Sequence, residues 1–186
     1  MSPDTGALTT MKIINNFISN EEVEVLKKHI IDNEQRVKKM GPDIYNETAP
    51  DSLTGRWIQH NFLQDKTVGS ILGPKLHKLF PTYYITMWGN IFRKDEYIKP
   101  HTHGNATVSG NLYLDGPENS KTVYEGKDLP NEIGTLVYFP STIVHWVDPN
   151  KSEIPRISMA FDCLNWNPWD DDAVPMFGTF IPTGDA

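Results

Sequence analysis

The stretch "GTLVYFPSTIVHWVDPNKSEIPRISMAF", residues 134–161, decides the fold. Three runs rich in β-branched and aromatic residues, GTLVYF, TIVHWV and RISMAF, are parted by short segments holding Pro140, Pro149 and Pro155. Such runs read as strands, and the prolines between them as turns. Working upstream, the same texture returns in KTVYE (121–125), TVSGNLYL (107–114), NIFRK (90–94) and YYITMW (83–88). Seven strands with no helical pattern between them predict antiparallel sheets forming a sandwich or jelly-roll barrel. A late strand is expected around Met176 to Ile181.

The first eighty residues differ. In "NNFISNEEVEVLKKHIID" (15–32), Ser19 or Asn20 can cap a helix. Glu21 and Glu22 suit its first turn, and Val23, Leu26 and Ile30 share a face. A second helical pattern, Val68, Leu72, Leu76 and Leu79, carries Gly73-Pro74, where a break or kink is expected. Residues 36–55 read as a long loop, and 1–10 as a disordered leader. The remaining residues, 11–186, read as one domain.

Bulk composition narrows the function. A formal net charge of −7 gives no basic surface for nucleic acid. One cysteine, Cys163, excludes an intramolecular disulfide and a cysteine zinc cage. No apolar run reaches the length of a membrane span, so a cytoplasmic location is expected.

Six histidines remain to be placed. His29 and His77 lie in lysine-rich helical contexts and read as solvated, and His60 shows no partner in its "RWIQHNF" context. His101 and His103, in "YIKPHTHGN" (97–105), project from one face of an extended segment and can converge on one ion. The alternative is a polar pair on a wet loop. His145, 44 positions beyond His101, lies in a strand that could return beside that pair. Arg156 and Ser158 again share a strand face. A guanidinium fork beside a hydroxyl suits a carboxylate, and a cation inside a β-domain is costly without an anion. An edge-strand arginine paired to an ordinary acid is the rival reading.

These elements together resemble the Fe(II)- and 2-oxoglutarate-dependent dioxygenases, in particular the prolyl-4-hydroxylase-like branch. "YIKPHTH" matches that branch's Y-x-x-P-H-x-D pattern at Tyr97, Pro100 and His101. "NLYLDG", "GTLVYFPSTIVHWV" and "RIS" resemble its following segments in order. The resemblance covers roughly residues 85–163 and implies a double-stranded β-helix, the cupin-like jelly roll, with N-terminal helices. It implies Fe(II) on His101, His103 and His145, and 2-oxoglutarate with its far carboxylate on Arg156 and Ser158. Tyr113 and Asn111 are implied as further co-substrate contacts, and Asn90 is a cavity candidate. The implied reaction hydroxylates a peptide or small-molecule substrate with O2, giving succinate and CO2, with ascorbate as reductant.

The departure falls on a ligand, because His103 stands where the family has a carboxylate. Either His103 ligates, or Asp115 or Glu125 swings in, or the metal binds weakly. Iron(II), three neutral imidazoles and a dianionic co-substrate sum to zero charge, so the first outcome is electrostatically allowed. On TVSGNLYL, alternation puts Ser109, Asn111 and Tyr113 on one face, either lining the barrel or solvated, and Val108, Leu112 and Leu114 on the other. Trp88 and Trp146 read as core residues. Two rivals stand beside the oxygenase. One is a cupin-like metal-binding protein or three-histidine dioxygenase independent of 2-oxoglutarate; the other is a non-catalytic interaction domain.

Overall fold

The computed structural model describes residues 8–42, 48, 49, 51–104, 106–165 and 180–186. Residues 1–7 of the expected leader and the segment Met176 to Thr179 lie outside the described residues, as do parts of the 36–55 loop. In chain order the elements are β1 (Lys12–Ile14), α1 (Asn20–Lys38), α2 (Lys66–Leu79), β2 (Tyr84–Phe92), β3 (Ile98–His101) and β4 (Val108–Asp115). They continue with β5 (Lys121–Tyr124), β6 (Lys127–Pro130), β7 (Leu136–Pro140), β8 (His145–Val147), β9 (Arg156–Leu164) and β10 (Ile181–Pro182).

The strands form two antiparallel sheets, β1-β7-β4-β9-β2-β10 and β3-β8-β5-β6. The larger sheet is centred on β9, which pairs with β4 on one side and β2 on the other, so both its edges are hydrogen-bonded. Its residues alternate between two destinies. Ile157, Met159, Phe161 and Cys163 enter the apolar core with the helices. Ala160 and Asp162 of the opposite face, with Arg156, line a cavity between the sheets. The same alternation on β4 sends Val108, Leu112 and Leu114 to the core.

Helix α1 begins with a reciprocal cap. The Glu22 amide donates to Ser19 Oγ at 3.2 Å and the Ser19 amide to Glu22 Oε2 at 2.8 Å. Ser19, rather than Asn20, is the capping residue, and the helix runs on to Lys38, shortening the expected loop. Near its C-terminal end, buried Glu34 receives a two-pronged contact from Arg93 at 2.9 and 2.7 Å. Burial pushes the Glu34 carboxyl up, but the hydrogen bonds of Arg93 and Lys38 outweigh it and hold it below its usual value.

Two expectations are corrected. Helix α2 is continuous through Pro74. Pro74 and Ser70 are exposed, so the carbonyl that the missing amide would have engaged faces water. The neighbouring Gly73 lies against Ala186, so this face of the helix requires a bare backbone. Likewise YYITMW and NIFRK are one nine-residue strand, β2, paired with β9 along its whole length. Gly89 does not end it. A Cβ there would come within 2.8 Å of Ile30 Cγ2, so the glycine serves close packing of α1 on the sheet.

His29 and His60 are also corrected. Both imidazole Nε2 atoms meet Asp65 Oδ2, at 2.9 and 3.0 Å, and tie α1 to the start of α2. Each ring also meets Phe62 edge-on. Burial raises the Asp65 carboxyl and the hydrogen bonds from His29 and His60 lower it further, leaving it below its usual 3.8. Its contribution is therefore complete above pH 3.8 and is lost as pH falls through the depressed pKa. Asp65→Ala is expected to cost about 2 kcal/mol in urea unfolding at pH 7, with the deficit shrinking in strong acid. His77 is exposed, as expected.

Candidate metal centre and anion pocket

A cavity of about 220 Å³ opens between the two sheets. At one end stand three imidazoles. His101 ends β3 and pairs directly with His145 of β8. His103 lies two residues beyond the strand, held by its amide on the Ser141 carbonyl at 2.9 Å. The ring centroids are 4.2 to 5.1 Å apart, and one nitrogen from each ring lies within 4.8 Å of the other two.

Hydrogen bonds orient each ring. Nδ1 of His101 donates to the Lys99 carbonyl at 2.8 Å, and Nδ1 of His145 to the Ile143 carbonyl at 3.0 Å. Nδ1 of His103 donates to both oxygens of Asp162, at 2.7 and 2.8 Å. With Nδ1 protonated, Nε2 carries the lone pair. Nε2 of His103 is buried and meets no protein partner among the described residues. Burial, then the neighbouring His103, lowers the His101 pKa to about 4. Burial and the two neighbouring histidines hold His145 well below 6.5. Both rings are neutral at pH 7, the state in which imidazole binds a metal. The donor set therefore fits one divalent ion on three Nε2 atoms.

The other end of the cavity is cationic. Arg156 is 2 % exposed, yet among the described residues no carboxylate pairs with it. Its Nη2 donates to Thr122 Oγ1 at 2.9 Å and its Nη1 makes a long contact of 3.4 Å with Ser158 Oγ. Its Nε has no protein partner. The guanidinium lies between the rings of Phe92 and Tyr113, 5.4 and 5.5 Å from their centroids. Burial lowers its pKa below the usual guanidinium value, while Tyr113 and Tyr124 oppose that shift. A cation so buried is costly without an anion.

Ser158 also accepts from Asn90 Nδ2 at 3.3 Å, and Asn90 Oδ1 accepts from Thr54 at 2.7 Å. Asn90 lines the cavity. Asn111 lies between the two ends, since β4 places it opposite Ala160, and its buried Oδ1 has no protein partner. Tyr113 is less direct. Its ring flanks Arg156, while its hydroxyl meets Thr122 and Tyr124, each at 3.1 Å, outside the cavity wall. Ser109 and Tyr113 are buried and Asn111 half-buried, so this face of β4 is not solvated.

Neither Asp115 nor Glu125 reaches the histidines. Asp115 pairs with Lys27 at 3.2 Å, and Glu125 is exposed. Sequence reasoning missed Asp162, Thr122 and Tyr124. Asp162 was legible: it lies six residues after Arg156 on one strand, hence on the same face, and an acid inside so apolar a strand needs a reason. Thr122 and Tyr124 carried no such signal, because their position depends on how β5 meets β8. Trp88 is buried as expected but also lines the cavity, stacked 5.8 Å from His103. Trp146 is half-buried and bonds Asp148 instead.

Two antiparallel sheets with these helices form the double-stranded β-helix fold of the 2-oxoglutarate- and Fe(II)-dependent oxygenases, prolyl-4-hydroxylases among them. A prolyl-4-hydroxylase from Pseudomonas putida superposes with a TM-score of 0.61 at 16 % identity, over 84 % of this chain and 93 % of that one. The viral collagen prolyl hydroxylase of Paramecium bursaria Chlorella virus-1, solved with 2-oxoglutarate, gives 0.60 at 15 % identity, over 88 % and 98 %. HygX from Streptomyces hygroscopicus, solved with nickel and 2-oxoglutarate, gives 0.59 at 12 %, over 92 % and 91 %. No protein-family model matches the chain, and no curated protein matches it in sequence. Among the described residues no helix is long and apolar enough to cross a membrane.

Proposed function

We propose that this protein is a non-haem Fe(II)- and 2-oxoglutarate-dependent oxygenase that hydroxylates a peptide side chain or small molecule, releasing succinate and CO2. The observation that carries this reading is the buried guanidinium of Arg156, paired with no acid among the described residues, facing the same cavity as three converging imidazoles. Solved relatives in fold hold 2-oxoglutarate, one of them with nickel, which agrees with that pairing. A single buried cysteine asks for no oxidising compartment, and we place the protein in the cytoplasm.

In this reading His101, His103 and His145 hold the iron through Nε2. Arg156 and Ser158 receive the far carboxylate of 2-oxoglutarate. Asn111, whose buried Oδ1 meets no partner among the described residues, would offer its amide to the co-substrate between the two ends. Tyr113 acts through Thr122 and the face of Arg156, holding the cation in place. Iron, when bound, supplies the oxygen activation that no side chain here can provide. The chain's part is orientation and dryness: Phe139 edges His145 at 4.8 Å and Trp88 covers His103, so the reacting centre is walled by apolar rings. No proton has to be moved by a side chain.

The test is succinate formation from 2-oxoglutarate with Fe(II) and ascorbate. Succinate that appears only when both are supplied supports the reading, and none under any loading defeats it. Ala160 gives a sharper version, because it is the small residue between the two ends. Ala160→Leu is expected to raise the KM for 2-oxoglutarate at least about tenfold by filling that space, with metal binding unchanged.

One observation favours a second reading. With histidine at the carboxylate position, the site also suits a three-histidine dioxygenase that needs no 2-oxo acid. Anaerobic addition of 2-oxoglutarate to the Fe(II) protein separates the two, since only the first gives a metal-to-ligand charge-transfer band.

A further inference from the structure

We propose that Asp162 acts through His103 to supply the negative charge that a ligand carboxylate brings elsewhere, making the His103–Asp162 pair one anionic ligand. This rests on the three-histidine reading and adds a positioning residue to it. Asp162 is 6 % exposed and is the only acid lining the cavity among the described residues. Both its oxygens face His103 Nδ1, and Oδ1 also accepts from Ser109 Oγ at 2.6 Å. It is thereby committed behind the ring and is not itself placed to ligate.

The three histidines are not equivalent. His101 and His145 donate to neutral carbonyls, whereas His103, among the described residues, donates to a carboxylate. No lysine or arginine pairs with Asp162 among the described residues. A buried carboxylate whose ring partner is an imidazole, with no lysine or arginine beside it, leaves negative charge in the wall of the site. A divalent ion on Nε2 of that imidazole is the missing countercharge. A carboxylate bonded to the outer nitrogen also raises the donor strength of the inner one, and such partners shift metal affinity by about 10–100-fold. The substitution of the family's carboxylate by His103 is thus answered one residue outward, on β9.

Co(II) alone, without co-substrate, is the probe, with affinity and visible absorption as readouts. Asp162→Asn keeps an acceptor for Nδ1–H but loses the charge. It is expected to bind Co(II) at least about tenfold more weakly, with an altered visible spectrum and an unchanged far-UV circular dichroism. Adding His103→Asp to Asp162→Asn returns the charge to the ligand position and is expected to restore affinity to within a few-fold of the unaltered protein. Equal affinity and spectrum in Asp162→Asn and the unaltered protein overturn the proposal, as does a double variant no tighter than Asp162→Asn.

A measurement on the unaltered protein runs beside these, in case the variants fold poorly. In the Zn(II)-loaded protein the Nδ1 proton of His103 should resonate well downfield of those of His101 and His145, and three similar shifts overturn the proposal. His145→Ala separates the two levels. If the unaltered protein binds no Co(II), the three-histidine reading fails and this inference with it. If binding is lost in His145→Ala but unmoved in Asp162→Asn, only the role of Asp162 fails.

Discussion

Arg156→Met is expected to abolish 2-oxoglutarate binding while leaving the unliganded protein as stable as before or more so. Among the described residues the guanidinium has no counter-ion and one nitrogen unpaired, so in the unliganded protein its charge is a cost. Methionine keeps the length and the packing between Phe92 and Tyr113 and removes that cost. Replacing a buried, unsupported ion with an apolar residue is often neutral or stabilising by about 1–4 kcal/mol. A carboxylate gripped by a buried guanidinium, by contrast, loses about 3–5 kcal/mol when the guanidinium goes, or roughly a hundredfold to a few thousandfold in affinity. Calorimetric titration with 2-oxoglutarate and a thermal melt of the same sample read both halves. A melt lowered along with affinity would make Arg156 structural rather than a ligand group.

His145→Ala carries the second large effect. If three imidazoles share a binding free energy of order 12 kcal/mol, each accounts for about 4 kcal/mol, or roughly a thousandfold in affinity. The variant should lose metal-induced thermal stabilisation and all succinate formation, while its metal-free melt changes little. Competition against a chromophoric chelator measures the first of these. Retained affinity would mean that His145 is outside the metal's reach, and that its pairing with His101 across β3 and β8 serves packing alone.

Much of this arrangement was legible in the sequence, because strand alternation is a strict rule. Arg156 and Ser158 share a face for the same reason that Ser109, Asn111 and Tyr113 do, and the cap at Ser19 follows from Glu22 three positions on. What escaped reading depended on distance in space. That His29 and His60 share Asp65 requires α1 to cross the start of α2, which no local pattern announces. That Gly89 continues a strand follows from the approach of Ile30, a contact across fifty-nine positions. Pro74 misled because a helix tolerates proline where the freed carbonyl meets solvent. Asp162 was open to inference by the rule that placed Arg156, had the alternation been carried to the end of β9.

If Arg156 receives the co-substrate's far carboxylate as proposed, then, because one strand carries Arg156 at its start and Asp162 near its end, selectivity for the length of the acid would be written into a pleat. Positions on one side of a strand recur about every 6.6 Å, and a one-residue slip would drive the arginine among core methionines and leucines while turning isoleucine to the cavity. Homologues adapted to a diacid one methylene longer therefore could not get there by sliding β9. They would have to recruit a cation from another strand, and the partner's register would have to stay as it is.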